Sequence, residues 1–537
     1  MKKMNQAWIL VLILVLSLAL RLTGIEWGLP SKTETLHTFH PDESIILTGL
    51  SAMNPSKFDF NPHNFMGGTS HYYVSAAVLK ACSSLRLIKL SSDKEFYRNN
   101  FREMDKVFLA GRAMSVTFAL LTILLVFFIG KEVYNEKVGL WAAFFMSMLP
   151  IHVIDSHYMT FDTPVTYWFI LALFFSVKIY GDSRRRWYVL AGISAAMACG
   201  AKYYGGAAVL FPVFAHMAKE RKDGESPVLY KKILLVLISF TAAFVVTNPY
   251  MVLDYREAIR HISITFSLTK MRAGVEIMKG SGLLLYPALL TFDLGIPLAL
   301  FSFAGFLMQF KQMDRKISLL VFALFSFYIP MSLSYTKMEH YMLPITPILA
   351  LFSASLLFYF KHRVLKIAGA LVIAYTLFYS CGYVGIMAGK GTRIQATEWI
   401  RANIPADTKI GAINFYFYTP PALYSYMHLM PENAKAVDYR AVLTGYDIEK
   451  LKKERPQYFV ITDFEYSEDY QAFWKIGDVQ SKKRFLEFLM NGVMYKEIRA
   501  FTEYPSLFGL KLDTRRPPWH IRFLKPEIKI YELKENI

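Results

Sequence analysis

Only three cysteines occur in 537 residues, Cys82, Cys199 and Cys381. They lie too far apart for a disulfide framework or a metal-ligand spacing, and they leave the redox compartment unread. Charge is also scarce. Asp, Glu, Lys and Arg make up 19% of the chain, below the roughly one quarter usual in soluble domains. No GxxxxGK[ST] loop is present, which excludes a nucleotide-hydrolysing motor of the P-loop kind. No Asp-Xaa-Asp occurs, so a strictly metal-dependent mechanism has no motif behind it. No coiled coil, low-complexity tract or internal repeat is found, and the missing repeat counts against the two-fold architecture of many transporters.

What the chain does have is apolar length. Hydrophobic residues reach 54%, gathered in runs: Trp8 to Leu20, Val107 to Ile129, Val138 to Pro150, Pro164 to Tyr180, Ile233 to Val246, Pro287 to Phe310, Leu319 to Leu333, Tyr341 to Phe360 and Val364 to Ala388. A membrane span needs about 20 mainly apolar residues, which these runs approach with their flanks. Between Arg186 and Lys219 the pattern predicts two short helices broken near Gly200 and Lys202. The sum is roughly eleven spans. Bulky Arg21, Leu22 and Trp27 follow the first run without a small-residue cleavage pattern, so it is expected to be a retained helix rather than a signal peptide.

The net charge of +18 is not a nucleic-acid footprint, because its placement follows the membrane. The short connectors on the N-terminal side (1–6, 131–137, 181–187, 219–232, 310–316 and 360–366) hold 18 Lys or Arg against 7 Asp or Glu. This positive-inside asymmetry predicts that they and the N-terminus are cytoplasmic. Segments 25–106, 150–161, 248–285, 334–340 and 389–537 are then expected outside. From about Gly391, helix-like pieces (Thr392 to Asn403, Ser481 to Asn491) alternate with strand-like ones (Lys409 to Asn414, Gln457 to Thr462, Glu527 to Glu532). The predicted fold is thus a mainly α polytopic membrane protein of about 11 transmembrane helices, residues 1–388 with outer loops 25–106 and 248–285. A soluble α/β domain, residues 389–537, follows.

Four groups of chemistry-bearing residues fall on the expected outer side. His40-Pro41-Asp42-Glu43 sets a histidine beside two carboxylates; a general base or a cation ligand fits, and so does a plain helix start with acids in its first turn. Asp162, with Asp155 and His157 shortly before it, precedes Thr163-Pro164, either as a helix cap or as a working carboxylate. Lys202 interrupts Ala198-Cys199-Gly200-Ala201, as an interfacial snorkelling lysine or as a phosphate ligand. Lys337, His340 and Tyr341 would share one helical face, where cations beside a hydrophobic wall suit an anionic head group.

Taken in order, these motifs resemble the polyprenyl-phosphate-sugar-dependent glycosyltransferases of the GT-C fold. The likeness is to the bacterial branch related to protein O-mannosyltransferases and lipid A aminoarabinose transferase. Asp42-Glu43 matches the family's early Asp-Glu, Asp162-Thr163-Pro164 its Asp-Xaa-Pro, and Gly200-Ala201-Lys202 its Gly-Xaa-Lys. Lys337-Met338-Glu339-His340-Tyr341-Met342-Leu343-Pro344 matches its Lys-Xaa-Xaa-His-Tyr-Xaa-Leu-Pro. The match runs over roughly residues 1 to 350. None of the eight tryptophans is paired, which departs from the Trp-Trp-Asp of the oligosaccharyltransferase branch.

The resemblance implies sugar transfer from a polyprenyl-phosphate carrier to a hydroxyl on an unidentified protein, lipid or glycan, with inversion. It implies Asp42 as base, Glu43 as its orienting partner or a ligand to sugar or cation, and His40 as a substrate contact. Asp162 would position acceptor or base, and Lys202, Lys337, His340 and Tyr341 would lie at the phosphate. Membrane lipids are expected partners and nucleic acid is not. No cofactor is read, and a divalent cation stays open. A lipid or solute transporter, a flippase or a catalytically inactive binder of lipid-linked sugar are the rival readings.

Overall fold

The apolar runs fold as helices in the computed structural model, which describes residues 6–223, 229–272, 282–334, 337–359, 363–414, 416–426, 439–467 and 479–534. Among these residues, five helical stretches are long and apolar enough to cross a membrane: Phe101–Val133, Asp162–Gly181, Arg315–Leu333, Glu339–Tyr359 and Arg363–Asn403. Gln6–Leu22, Gly282–Asp293 and Ile296–Gln309 are shorter apolar helices, set against the roughly eleven spans expected. The Phe101–Val133 helix has 33 residues, or about 50 Å at 1.5 Å each. That exceeds a hydrocarbon core of about 30 Å, so the helix is long enough to cross it with residues to spare. The chain is a multi-pass membrane protein.

The expected break after Gly200 is present. The Arg185–Ala201 helix ends, Lys202 is extended (φ −144°, ψ 135°), and a 3₁₀ turn, Tyr203–Val209, leads into the Leu210–Asp223 helix. Two glycines hold the broken end. A Cβ on Gly68 would lie 2.2 Å from the Gly200 carbonyl oxygen, so only glycine lets the loop before Ser70 pack there. Beside it, Asn248 Oδ1 accepts from the amides of Thr69 (2.8 Å) and Ser70 (2.9 Å).

Toward the C-terminus the period changes to that of a sheet. Strands β1 (Thr408–Ala412), β2 (Tyr439–Leu443), β3 (Tyr458–Thr462), β4 (Tyr495–Phe501), β5 (Ser506–Leu507), β6 (Leu510–Lys511) and β7 (Ile528–Leu533) are present. Five of them form a sheet in the order β2-β1-β3-β7-β4; β2, β1 and β3 are parallel, and β7 pairs antiparallel with both β3 and β4. Every residue of β3 is buried. Val460 packs with Ile400 of the Gly391–Asn403 helix and Ile404 just past it, and Phe459 and Ile461 with Phe485 and Leu489 of the Val479–Met490 helix. A central strand covered on both faces reads as a continuous apolar run. The predicted helices and strands here agree within a few residues, while β2 and β4 carry no signal in the sequence.

Between β6 and β7 the chain leaves the sheet and reaches back to the membrane helices. Ile521 and Leu524, of and just past the short Trp519–Arg522 helix, join the buried cluster that Phe145, Leu149, Tyr158 and Tyr383 form.

Candidate active site

Pro41 opens the Pro41–Ala52 helix with Asp42 and Glu43 in its first turn, a position where a missing N–H costs nothing. Consecutive helical residues point about 100° apart, so these two carboxylates cannot face the same way. Glu43 turns inward. Its Oε1 accepts from Arg112 Nε (2.9 Å) and the Met159 amide (2.8 Å), and its Oε2 from Arg112 Nη2 (2.8 Å) and Thr38 Oγ1 (2.5 Å). Both partners of the ion pair are wholly buried. Four donors saturate the carboxylate, so the sugar- or cation-ligand role expected for Glu43 does not fit. It fastens the start of the Pro41–Ala52 helix to the Phe101–Val133 helix, and Asp42 is left half-buried beside it.

His40 is buried with its ring stacked on Tyr158, centroids 4.2 Å apart. Neither His40 nitrogen has a hydrogen-bond partner among the described residues, nor does the Tyr158 hydroxyl. Burial first, then the nearby cations His520, Arg112 and Lys202, hold the His40 imidazole well below its ordinary pKa and so neutral.

Asp162 begins the Asp162–Gly181 helix, where the helix dipole favours a carboxylate. Its Oδ1 takes the Lys202 ammonium at 2.6 Å, and its Oδ2 has no partner among the described residues. The Lys202 nitrogen also lies 5.7 Å from the ring centres of both Tyr204 and Tyr341, within cation–π range. Lys202 therefore faces inward to a carboxylate between two aromatic rings, and it does not snorkel.

The helical spacing expected for Lys337, His340 and Tyr341 is not what forms. Glu339–Ile345 is a 3₁₀ turn, Lys337 precedes it, and residues 335 and 336 lie outside the described residues. Lys337 donates to the Ser334 carbonyl at 2.8 Å, and no contact of its ammonium with Lys202 or Asp162 is found among the described residues. Met338, between Lys337 and the turn, is extended (φ −116°, ψ 144°), so no helical period relates Lys337 to His340 and Tyr341. Those two do join the site, His340 at 4.7 Å from Tyr341.

His520 carries no signal in the sequence, yet it stands at the centre of this mouth. Its Nε2 pairs with Asp155 Oδ1 at 2.5 Å, and its ring lies 4.1 Å from His340 and 5.0 Å from His40. Glu339 Oε1 accepts from the amides of His520 (2.5 Å) and Ile521 (3.1 Å). The sequence marks Asp155 only as a neighbour of Asp162 and names no partner for it. His157, of the same stretch, is occupied by the Val153 and Thr23 carbonyls at 2.8 and 2.9 Å. Asp293, without a signal in the sequence, is buried with both oxygens unpartnered among the described residues.

Burial alone disfavours the His520 imidazolium, but Asp155, Glu339 and Asp162 outweigh it and raise the pKa to about 9. A pKa raised above 6.5 gives stability that is complete below that value and lost as pH rises through 9. The groups facing this histidine are Asp155, Glu339, Asp162, His40 and His340. The melting temperature of the purified protein should lose this contribution progressively as pH rises from about 6.5 to about 9 and show no further loss from it above that. His520→Gln should flatten that fall; an identical slope in both proteins would mean that the pair carries no charge.

Two further features bear on ligands. Among the described residues, one group has the spacing of a metal site: ligand atoms of His63, Asp254 and Glu257 all lie within 4.8 Å of one another. Protein hydrogen bonds already use part of this set, His63 Nδ1 to Glu257 at 2.8 Å and Asn61 to Asp254 at 2.8 Å. Second, an apolar groove of about 500 Å³ runs along Tyr73, Val74, Ala77, Met197, Val246 and Tyr250. Met197 lies on the helix that ends in the Lys202 break.

Comparison with known proteins bears on the fold around these residues. Residues 103–246 match the model of the dolichyl-phosphate-mannose-protein mannosyltransferase family, a segment that contains Arg112, Asp155, Asp162 and Lys202. No curated protein sequence matches the chain. Among solved structures, ArnT from Cupriavidus metallidurans bound to undecaprenyl phosphate superposes at a TM-score of 0.52 with 12% identity, over 98% of both chains. The apo oligosaccharyltransferase of Archaeoglobus fulgidus does so at 0.50 with 13% identity, over 98% of this chain and 77% of that one. The chain has the GT-C glycosyltransferase fold, and its residues 103–246 carry the mannosyltransferase-family match within it.

Proposed function

We propose that this protein is a membrane glycosyltransferase that moves a sugar from a polyprenyl-phosphate carrier to a hydroxyl acceptor at the outer face of the membrane. The observation that carries the reading is the Asp162–Lys202 pair at the end of a broken helix, ringed by histidines and tyrosines and lying beyond an apolar groove. A lysine in that position suits a lipid phosphate, and the groove suits its prenyl tail. The acceptor oxygen attacks C1 of the sugar and loses its proton to Asp42. The C1–O bond to phosphate breaks with its electron pair, leaving a phosphate monoester, and one displacement inverts C1. Lys202 offsets the charge that develops on the departing phosphate, the step at which preorganised cations count most. Lys337 and Tyr341 remain candidates for that phosphate, and residues 389–537 for an outer domain that meets the acceptor.

The direct test is label transfer. Purified protein in liposomes, given a panel of polyprenyl-phosphate sugars labelled in the sugar and native envelope membranes as acceptor, should move label into a new glycosidic linkage. Passage of labelled lipid or solute across the bilayer, with no new linkage from any donor, would favour the transporter instead.

Lys202→Ala should weaken binding of undecaprenyl phosphate by about 10- to 100-fold, the worth of a charge-assisted hydrogen bond. Isothermal titration in detergent reads this, and an unchanged Kd would remove Lys202 from the phosphate. The orientation has its own check. Phe508 is 94% exposed in the turn between β5 and β6, so a cysteine placed there should react with an impermeant thiol reagent on intact cells, whereas one at Arg185 should not. The opposite labelling pattern would put the site on the cytoplasmic side.

A further inference from the structure

We propose that His520, carried by the C-terminal part of the chain, belongs to the binding site for the donor's sugar ring, a polyol bearing no acid group. The inference rests on the glycosyltransferase reading and says which part of the donor is met here. Its ground is the mixture of polar atoms around His520 that lack partners among the described residues. The neutral His40 ring offers one donor and one acceptor nitrogen, Nδ1 of His340 and the Tyr158 hydroxyl can donate or accept, and Oδ2 of Asp155, Oδ2 of Asp162 and both oxygens of Asp293 accept. Native proteins pair nearly all buried polar atoms, so a cluster left unpaired is a ligand's complement.

The composition of the cluster selects the ligand. A phosphate has only acceptors to offer and would leave the carboxylate oxygens unmet. A prenyl chain would satisfy none of these atoms. A sugar hydroxyl both donates and accepts, so a ring carrying several can meet both kinds at once. Aromatic rings lie among the same atoms, His40 stacked on Tyr158 and His340 beside both His520 and Tyr341. With Asp155, Asp162, Asp293 and Glu339 close by, a uronic acid would bring like charge to carboxylates, whereas a neutral or amino sugar would not.

His520 is built in and does not merely brush past. Its backbone and that of Ile521 hang on Glu339, and its Nε2 holds Asp155. Its Nδ1 makes no hydrogen bond among the described residues, which leaves one N–H for a ligand. Arg393 clamps the same elements together: its guanidinium lies 3.8 Å over Phe39, beside His40, and donates to the carbonyls of Phe417 (2.7 Å) and Phe523. The C-terminal part therefore completes the wall of the site.

The test separates sugar from phosphate. Affinities of undecaprenyl phosphate and of its mannosyl, glucosyl, glucosaminyl and glucuronosyl derivatives are measured in detergent for wild type, His520→Phe and Asp155→Asn. His520→Phe keeps a ring against His340 and removes both N–H groups. The expected result is tighter binding of a neutral or amino sugar derivative than of undecaprenyl phosphate in wild type, an advantage cut by about tenfold or more in both variants. Undecaprenyl phosphate itself should bind all three proteins alike. Equal weakening of every ligand, or of none, overturns the sugar role of His520, as does a wild type that prefers the glucuronosyl lipid. A wild type that binds no polyprenyl phosphate at all overturns the donor reading, and this inference with it. Asp155→Asn keeps the shape of the pair, so it answers the question even where His520→Phe does not fold.

Discussion

Asp42→Asn should leave the protein folded and the donor bound while lowering turnover by about 10² to 10⁴, the usual worth of a general base. The change keeps size and hydrogen bonding but cannot take a proton at neutral pH. It should act on kcat far more than on donor affinity, because the carboxylate serves the acceptor oxygen. Asp42 suits this test because its neighbour is occupied elsewhere. Glu43 has its lone pairs engaged by Arg112, Thr38 and Met159, so no second carboxylate in that turn stands ready as a substitute. Steady-state transfer of labelled sugar measures the effect. A folded Asp42→Asn protein that transfers at the wild-type rate would end the role of Asp42, and Asp162, with Oδ2 unpartnered among the described residues, would be the next carboxylate to test.

The second large effect is on stability. Arg112→Leu should destabilise the protein by about 3–5 kcal/mol, because it leaves the Glu43 carboxylate buried without its counter-charge. It also frees the Trp27 carbonyl, which Arg112 Nη1 holds at 2.8 Å. Pairing it with Glu43→Leu should recover a large part of the loss, since two apolar side chains bury no unpaired charge. Unfolding in detergent, followed by circular dichroism, gives both numbers. If the double variant is no better than the single one, the pair is not the source of the effect and the Thr38–Glu43 turn holds by packing alone.

These two residues also show what a sequence can and cannot disclose here. Apolar length, loop charge and the Gly200-Ala201-Lys202 interruption are local signals, and the helices and the break follow them. Asp162 and Lys202 are legible because each stands out against its own apolar surroundings. The Asp42-Glu43 pair is legible as a site but not in its division of labour, which depends on which way a helix turns its first residues. Arg112 is one charge inside a long apolar run, and nothing in its neighbours announces Glu43, 69 positions earlier. Lys337 departs from the expected cluster because the backbone at Met338 is extended and the turn begins only at Glu339. His520 lies in an unpatterned stretch, after Arg515-Arg516-Pro517-Pro518-Trp519, whose function depends wholly on a fold that returns it to Asp155.

That return has a consequence for how the protein is made. The His520–Asp155 contact spans 365 positions, which at about 5–20 residues per second separates the two partners by roughly 20–70 s of synthesis. During that interval Asp155 is already placed by helices in the bilayer, while Glu339 and the His40 turn lack the segment that closes over them. The mouth is then open to water, and its carboxylates are hydrated instead of paired. Docking of the Trp519–Arg522 helix is therefore expected as a late step, after the helices that carry Asp155 have emerged. A ribosome stalled after Ile345 would yield a chain with many of its spans in the membrane and no finished site. A lesion in the docking segment should thus slow the appearance of competent protein without changing how many helices cross the bilayer.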